Sequence, residues 1–435
     1  MGSKTFDIPW GKGKMSLNLP ENWRILGEMS PVPVPAVPDA AKETRRALQE
    51  PIGSPPLASL AKPGMKVALV IDDLSRPTPV PLLLPAVLEE LSKAGVDPSQ
   101  VTVIPALGLH RPMESSEIIQ RIGVPGLKFE NPDCDDFTCL VNLGTTSRGS
   151  PVWVNKTVAE ADLIISIGCI EPHTIASFGG GYKNLFPGTA GRAMIANNHS
   201  LNCAPATFNM VGQPIDQNPM RLDLEEAGRM LNAPFFIVNA VLNSGLQVVR
   251  VVCGDGIEAH RAGVKVSAEI YGAAIPAQAD VVIASSHPMD SDLRQGVKAL
   301  ANTIRAVKPG GVHITLVKAE EGTGVFGLAS KKLPLGRNAL KLLAPLLLAL
   351  IPQLKLSGVS DEDKFFLYFA IKAMTLCTML MYAPTIPPEV KANLPFVTFV
   401  NDPRDAISLA AKKFSSGADV LVFPSGGSTF PILPR

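Results

Sequence analysis

A chain of 435 residues is too long for one ordinary core, so two domains are the default expectation. Hydrophobic residues make up 46% and charged residues only 18%, which excludes a disordered chain. The formal net charge of +1 leaves no electrostatic footprint for nucleic acid or an anionic membrane.

Residues 1–30 alternate weakly (Phe6, Ile8, Trp10, then Met15, Leu17, Leu19) and suggest an N-terminal hairpin. No long apolar secretory segment opens the sequence, and the greasiest run, 342–351, contains Pro345 and stops at Pro352, far short of a membrane span. The six cysteines have no zinc-finger spacing and read as reduced thiols of a cytoplasmic protein. After a proline- and alanine-rich stretch with one helix near 39–49, residues 65–71 read as a buried strand. It runs into Asp73-Leu74-Ser75-Arg76-Pro77, and a helix is expected over 80–94. The next strand, 101–106, ends in Gly108-Leu109-His110-Arg111-Pro112-Met113, followed by a helix over 114–122. Beyond a mixed region, strand 163–168 leads into Glu171-Pro172-His173 and then Gly179-Gly180-Gly181-Tyr182-Lys183-Asn184. Asn198-His199 comes next, then strands over 235–242 and 246–253 and a helix over 256–265.

The pattern resets around 269–278. A second unit is expected, with strand 279–284, a helix over 292–307, a turn at 308–311 and strand 312–317. Helices over 335–380, strand 396–400, helix 404–414 and strand 419–423 complete it. Strands alternating with helices predict an α/β fold: two α/β domains with mostly parallel sheets and a cleft between them. The expected boundaries are 1–270 and 275–410, with the terminal strand, about 415–435, returning to the first domain.

Asp73, Arg76, His110, His173 and Lys183 each lie in a loop beyond an apolar strand, where open α/β sheets bind ligands. Three of the six histidines, His110, His173 and His199, sit in loop contexts rich in Gly, Pro or Asn. Two imidazoles on separate loops suit proton transfer near neutral pH. Each taken alone is as well explained as a satisfied structural residue. His287 follows a strand and is a further candidate, whereas His260 and His313 read as structural. Three consecutive glycines beside Lys183 suggest a turn whose N–H groups cradle an anion, against the plainer reading of a surface loop. Asp73 as a helix cap is the plain alternative to a site role. Arg76 could fork onto a carboxylate. Arg294 and Lys298 share a helix face at i,i+4 spacing beside Gln295, as a substrate site or a solvated basic face. No His-x-x-x-His or Cys-x-x-Cys supports a metal site made of protein alone. A Gly322-x-Gly324-x-x-Gly327 run resembles a dinucleotide fingerprint, but Glu320 and Glu321 would crowd a pyrophosphate there.

Together, Asp73-Leu-Ser-Arg76-Pro, Gly108-Leu-His110-Arg-Pro-Met, Glu171-Pro-His173, Gly-Gly-Gly-Tyr-Lys183-Asn, Pro187-Gly-Thr-Ala-Gly191, Asn198-His199 and Gln295-Gly-Val-Lys298 resemble the nickel-dependent lactate racemases and related 2-hydroxyacid racemases and epimerases. The resemblance covers nearly the whole chain in order. It implies a nickel-pincer nucleotide, pyridinium-3,5-bisthiocarboxylic acid mononucleotide with nickel, joined covalently through Lys183, with His199 as metal ligand. His110 and His173 would be the acid–base pair in a hidden hydride transfer through a 2-keto acid. Arg76 and Lys298 would hold the substrate carboxylate. Asp73, Leu74, Ser75, Arg76, Gln295, Lys298 and the Gly179–Gly181 backbone would contact the cofactor. The partners implied are a 2-hydroxyacid and the proteins that build the cofactor, with oligomeric state open. Arg294 departs from the family, which has tyrosine just before the glutamine. A second carboxylate or polar tail, as in malate, or a broad substrate range would then replace strict use of lactate. The alternatives are a lyase or dehydrogenase on the same fold, or a non-catalytic carrier of the cofactor or a hydroxyacid.

Overall fold

The computed structural model describes residues 4–324, 326–353 and 361–434. Two six-stranded sheets organise them. The first has the strand order Val248–Asp255, Phe235–Leu242, Leu163–Cys169, Val67–Asp72, Val101–Ala106, Lys128–Phe129, and only its Val248–Asp255 edge runs antiparallel. The second, Thr398–Val400, Thr378–Tyr382, Val307–Leu316, Ala279–Ser285, Asp419–Phe423, Arg24–Glu28, is parallel throughout.

Near-continuous apolar runs make these strands because both faces of a parallel sheet are covered. Val67, Leu69 and Ile71 point to one side of the first sheet and pack under Leu83, Leu84 and Val87 of the helix Val80–Lys93. Ala68 and Val70, on the opposite face, join a core shared with the second sheet through Val282, Ala284 and Phe423. Val281 and Ile283 face the outer layer, under Ile8, Leu17, Leu19 and Trp23 of the N-terminal segment. Each sheet therefore turns one face inward to a common interior, and the loops at their carboxyl ends meet there.

Several expectations are corrected. The N-terminal hairpin forms, Lys4–Trp10 against Gly13–Leu19, but it and Arg24–Glu28 belong with the second sheet, not with a domain starting at residue 1. Asp419–Phe423 does not return to the first sheet. Its buried Asp-Val-Leu-Val-Phe run needs a partner on each side and finds Ala279–Ser285 and Arg24–Glu28. Only Phe430–Ile432 reaches back, pairing with Gly272–Ala274 and setting Phe430 edge-on against Phe178 at 5.9 Å. The helical stretch expected over 335–380 instead gives Arg337–Leu350, Asp361–Leu376 and then the strand Thr378–Tyr382, with 354–360 outside the described residues. The turn expected at Lys308 lies inside Val307–Leu316, where Lys308 bridges Asp280 and Asp419. Among the described residues no helix is long and apolar enough to cross a membrane.

Candidate active site

The loop after Val67–Asp72 is clamped before it reaches the cavity. Buried Asp72 accepts from Thr78 Oγ1 and from the Cys169 N–H at 3.0 Å. Arg121 donates to the Asp72 and Arg76 carbonyls, each at 3.0 Å. Asp73 accepts from the Ser75 hydroxyl at 2.6 Å and faces Nδ1 of His110 at 2.6 Å. Burial alone would raise the Asp73 carboxyl, but the His110 bond, helped by Ser75 and Arg76, outweighs it and holds the pKa down to about 2. A carboxylate there accepts from Nδ1–H and leaves the Nε2 lone pair of His110 free. Asp73, expected to touch a cofactor, is in the first place the orienter of His110. Ser75 borders the cavity, whereas Leu74, 49% exposed, is outside its lining.

Arg76 reaches across to Glu171 at 2.8 Å, with both side chains largely buried. Burial opposes the guanidinium charge, and Glu171, Asp72 and Asp73 together more than restore it. Glu171 was missed as a site residue, although it stands in the same Glu-Pro-His motif as His173.

His173 lies in the short pair Pro172–His173 against Ser177–Phe178. Its Nδ1 accepts from the Ile175 and Ala176 N–H groups at 3.3 and 3.2 Å, so the ring proton is on Nε2. Burial first, then the charges of Lys183, Arg76 and Lys298, push its pKa well below the ordinary value, and the ring is neutral.

The glycines expected at the cofactor lie outside the cavity lining. None of Gly179, Gly180 and Gly181 lines the cavity. The Gly179 N–H is bonded to the Glu171 carbonyl and the Gly181 N–H to Asn239 Oδ1, both at 2.8 Å. Buried Arg221 caps the Phe178 and Gly180 carbonyls, and His260 Nε2 lies 2.8 Å from that of Gly179. Glycine is required for room: a Cβ on Gly180 would meet Asn239 at 2.7 Å and one on Gly181 the His260 ring at 2.9 Å, both at positive φ. The turn is a packed hinge that fixes the direction of the next turn of chain. There, Lys183 lies in Gly181–Asn184 and faces the cavity, and burial followed by the Arg76 charge lowers its pKa to about 7. Its amine is therefore partly neutral at physiological pH.

His199 ends the helix Arg192–Ser200. Its Nδ1 is 2.7 Å from the Ile195 carbonyl, which can only accept, so Nε2 carries a free lone pair. Burial lowers its pKa to about 4, keeping the ring neutral. Asn198 anchors the same helix through the Met220 carbonyl and the buried Asp223 carboxylate. From the second sheet, Asp292 caps the turn Leu293–Gly296 by accepting from the Gln295 N–H at 2.8 Å. The expected single helix is interrupted at Val297, between that turn and Lys298–Thr303, yet Arg294, Gln295 and Lys298 all border the cavity. Burial, then Arg76, lowers Lys298 to about 8.

One cavity of about 220 Å³ collects Asp73, Arg76, His110, His173, Lys183, His199, Arg294, Gln295 and Lys298. The other histidines are elsewhere: His260 and His313 are fully buried and hydrogen-bonded, and His287 pairs with Asp290 at 3.3 Å. Among the described residues, three metal-ligating side chains come together only at Asp133, Cys134 and Asp135, none of which borders the cavity. His199 alone could offer a metal one imidazole donor here, and any further donors would have to come from elsewhere than a protein cluster among the described residues.

Residues 10–209 match the family described as the lactate racemase N-terminal domain. The chain is 31% identical over 329 residues to the lactate racemase of Thermoanaerobacterium thermosaccharolyticum, covering 74% of this chain and 76% of that protein. It is also 31% identical over 293 residues to the lactate racemase of Lactiplantibacillus plantarum, covering 65% and 67%. The structure of the lactate racemase apoprotein from T. thermosaccharolyticum superimposes with a TM-score of 0.82 at 26% identity, over 99% of this chain and 100% of that one. A protein from Thermotoga maritima shares the fold alone, with a TM-score of 0.66 at 16% identity over 91% of this chain and 98% of that one.

Proposed function

The chain belongs to the lactate racemase family, and we propose that it interconverts the C2 stereoisomers of a 2-hydroxyacid at this cavity, with His110 as the proton-transfer base and His173 as the hydrogen-bond donor to the same substrate oxygen. As a member of that family it is an isomerase. The observation that carries the proposal is the opposite preparation of the two imidazoles, one backed by a carboxylate and one by two N–H donors, in one cavity with cations. A substrate hydroxyl between them meets one lone pair and one N–H donor, which suits removal of its proton by His110 while His173 holds the oxygen.

The residues fit a nickel-pincer nucleotide. Lys183 offers an amine with a pKa of about 7, which is nucleophilic enough to carry a covalent link. His199 offers one fixed Nε2 lone pair. When bound, the group supplies a nickel-supported ring that reversibly accepts a hydride. Arg76 and Lys298 bind and orient the substrate carboxylate, Arg76 being held by Glu171. His110 Nε2 takes the hydroxyl proton, and Asp73 stabilises the imidazolium that results. His173 Nε2–H points a donor at the substrate oxygen and keeps it in register. Proteins that build and attach the group are the partners this reading requires, and six scattered cysteines without zinc-finger spacing suit a cytoplasmic setting.

The test is an intact-mass spectrum of protein made together with the cofactor-building proteins. The expected result is an adduct that maps to Lys183 and is abolished by Lys183→Ala. An unmodified chain under those conditions overturns the cofactor assignment. With 2-deuterated substrate, label retained at C2 supports hydride transfer, and washout into solvent points to proton abstraction instead.

Arg294 at the cavity wall supports a polar or carboxylate-bearing tail, as in malate, as one substrate choice. Arg294→Leu is expected to lower kcat/KM on malate about tenfold more than on lactate. Equal losses on both would remove that choice.

A further inference from the structure

Besides its cationic residues, the cavity is walled by Phe326, Phe365, Phe366, Phe369, Phe396 and Phe399. Phe365, Phe366 and Phe369 come from the helix Asp361–Leu376, which packs against the helix bearing His199. Their rings interlock: Phe326 meets Phe366 edge-on at 5.8 Å, Phe365 meets Phe369 at 6.4 Å, and Phe369 meets Phe208 at 5.7 Å. Met379 and Met381, on the strand after that helix, also line the cavity, and Ala370 is a small residue among these larger lining side chains. Lactate carries one methyl beyond its carboxylate and hydroxyl, which an aromatic enclosure of this extent does not match. Nor can the enclosure be meant for the phosphate and ribose of a nucleotide, since burying those groups against phenyl rings leaves their oxygens unpaired.

The geometry points to a substrate with a bulky apolar side chain: a 2-hydroxyacid bearing an aryl or branched alkyl group, whose carboxylate meets Arg76 and Lys298 while its tail fills the aromatic annex. This rests on the racemase reading for its polar half only. The annex is a hydrophobic binding surface whether or not turnover occurs, and aromatic tails gain from both area and edge-on contacts with such rings.

Calorimetric titration of the holoenzyme with lactate, malate, 3-phenyllactate and 2-hydroxy-4-methylpentanoate tests it, alongside racemisation of each. The two apolar acids are expected to bind about tenfold or more tightly than lactate, as burying an aryl or isobutyl group predicts. Ala370→Leu, which enlarges the small residue, is expected to erase that preference while leaving lactate binding unchanged, and Phe366→Ala to weaken 3-phenyllactate selectively. Lactate or malate binding as tightly as the apolar acids overturns the proposal, as does a loss in either variant that is equal for every acid. Preferential binding of the apolar acids without racemisation of any supports the annex and removes the racemase reading, so the two fail separately.

Discussion

His110 and His173 present the same ring to the same cavity with opposite wiring. The Asp73 carboxylate accepts from Nδ1–H of His110 and leaves its Nε2 lone pair free, while Nδ1 of His173 accepts from two N–H groups and leaves the ring proton on Nε2. Asp73→Asn tests this at its root. Asparagine can present its N–H₂ to Nδ1, which moves the ring proton to Nε2 and removes the base, so racemisation should fall about 10²-fold or more. The Lys183 adduct should persist, which separates catalytic loss from failure to load. Stability gives a second readout. Because the folded carboxyl is depressed to about 2, its stabilisation is present above the ordinary carboxylate pKa and is lost as pH falls through about 2. The wild type should therefore exceed Asp73→Asn by about 2 kcal/mol near pH 7, with the gap closing between about pH 4 and 2. A gap independent of pH would sink the assignment of that charge. The placement of His110, His173 and Lys183 in strand-end loops around one cavity was legible in the sequence. The wiring was not, because Asp73 lies 37 positions from His110 and nothing local links them.

The glycine turn is where local sequence and final role diverge most. Consecutive glycines promised positive φ and close approach, and both occur, but the close neighbours are Asn239, Arg221 and His260. Those partners come from distant elements, so the turn's packing destination was invisible in its own sequence. Gly181→Ala should cost about 2–4 kcal/mol, from left-handed backbone strain plus overpacking against His260. It should also lower the yield of Lys183 adduct, because Lys183 lies within the same turn. A variant as stable as the wild type in thermal unfolding would falsify this account of the turn. Among the strands, Val67–Asp72, Val101–Ala106, Leu163–Cys169 and Phe235–Leu242 were readable because burial on both faces demands uninterrupted apolar runs. Thr378–Tyr382 escaped detection because its Met and Leu residues favour helices equally and it follows the helix Asp361–Leu376 directly.

At the scale of the whole molecule, the α/β class and two-sheet plan followed from alternation, but the ownership of the ends did not. Arg24–Glu28 has one strand neighbour, Asp419–Phe423, and Arg24 bonds to Asp419 across 395 positions. No window of sequence reports a pairing of that separation. Deleting residues 416–435 should strip amide protection from Arg24–Glu28 and expose the edge of Ala279–Ser285, while Val67–Asp72 keeps its protection. Hydrogen exchange reads this directly, and uniform loss across both sheets would contradict it. The same pairing sets a timetable for a chain made from its N-terminus. Every strand of the first sheet is available once residue 255 has left the ribosome, and the last packing partner of the turn that carries Lys183, His260, follows five residues later. The second sheet must wait for residue 423, because its first and last strands are neighbours. During that interval the Lys183 amine stands on the first sheet with the residues Arg294, Lys298 and Phe326 that wall the cavity not yet in place, so the proposed attachment of a cofactor would meet its most open access before the second sheet closes.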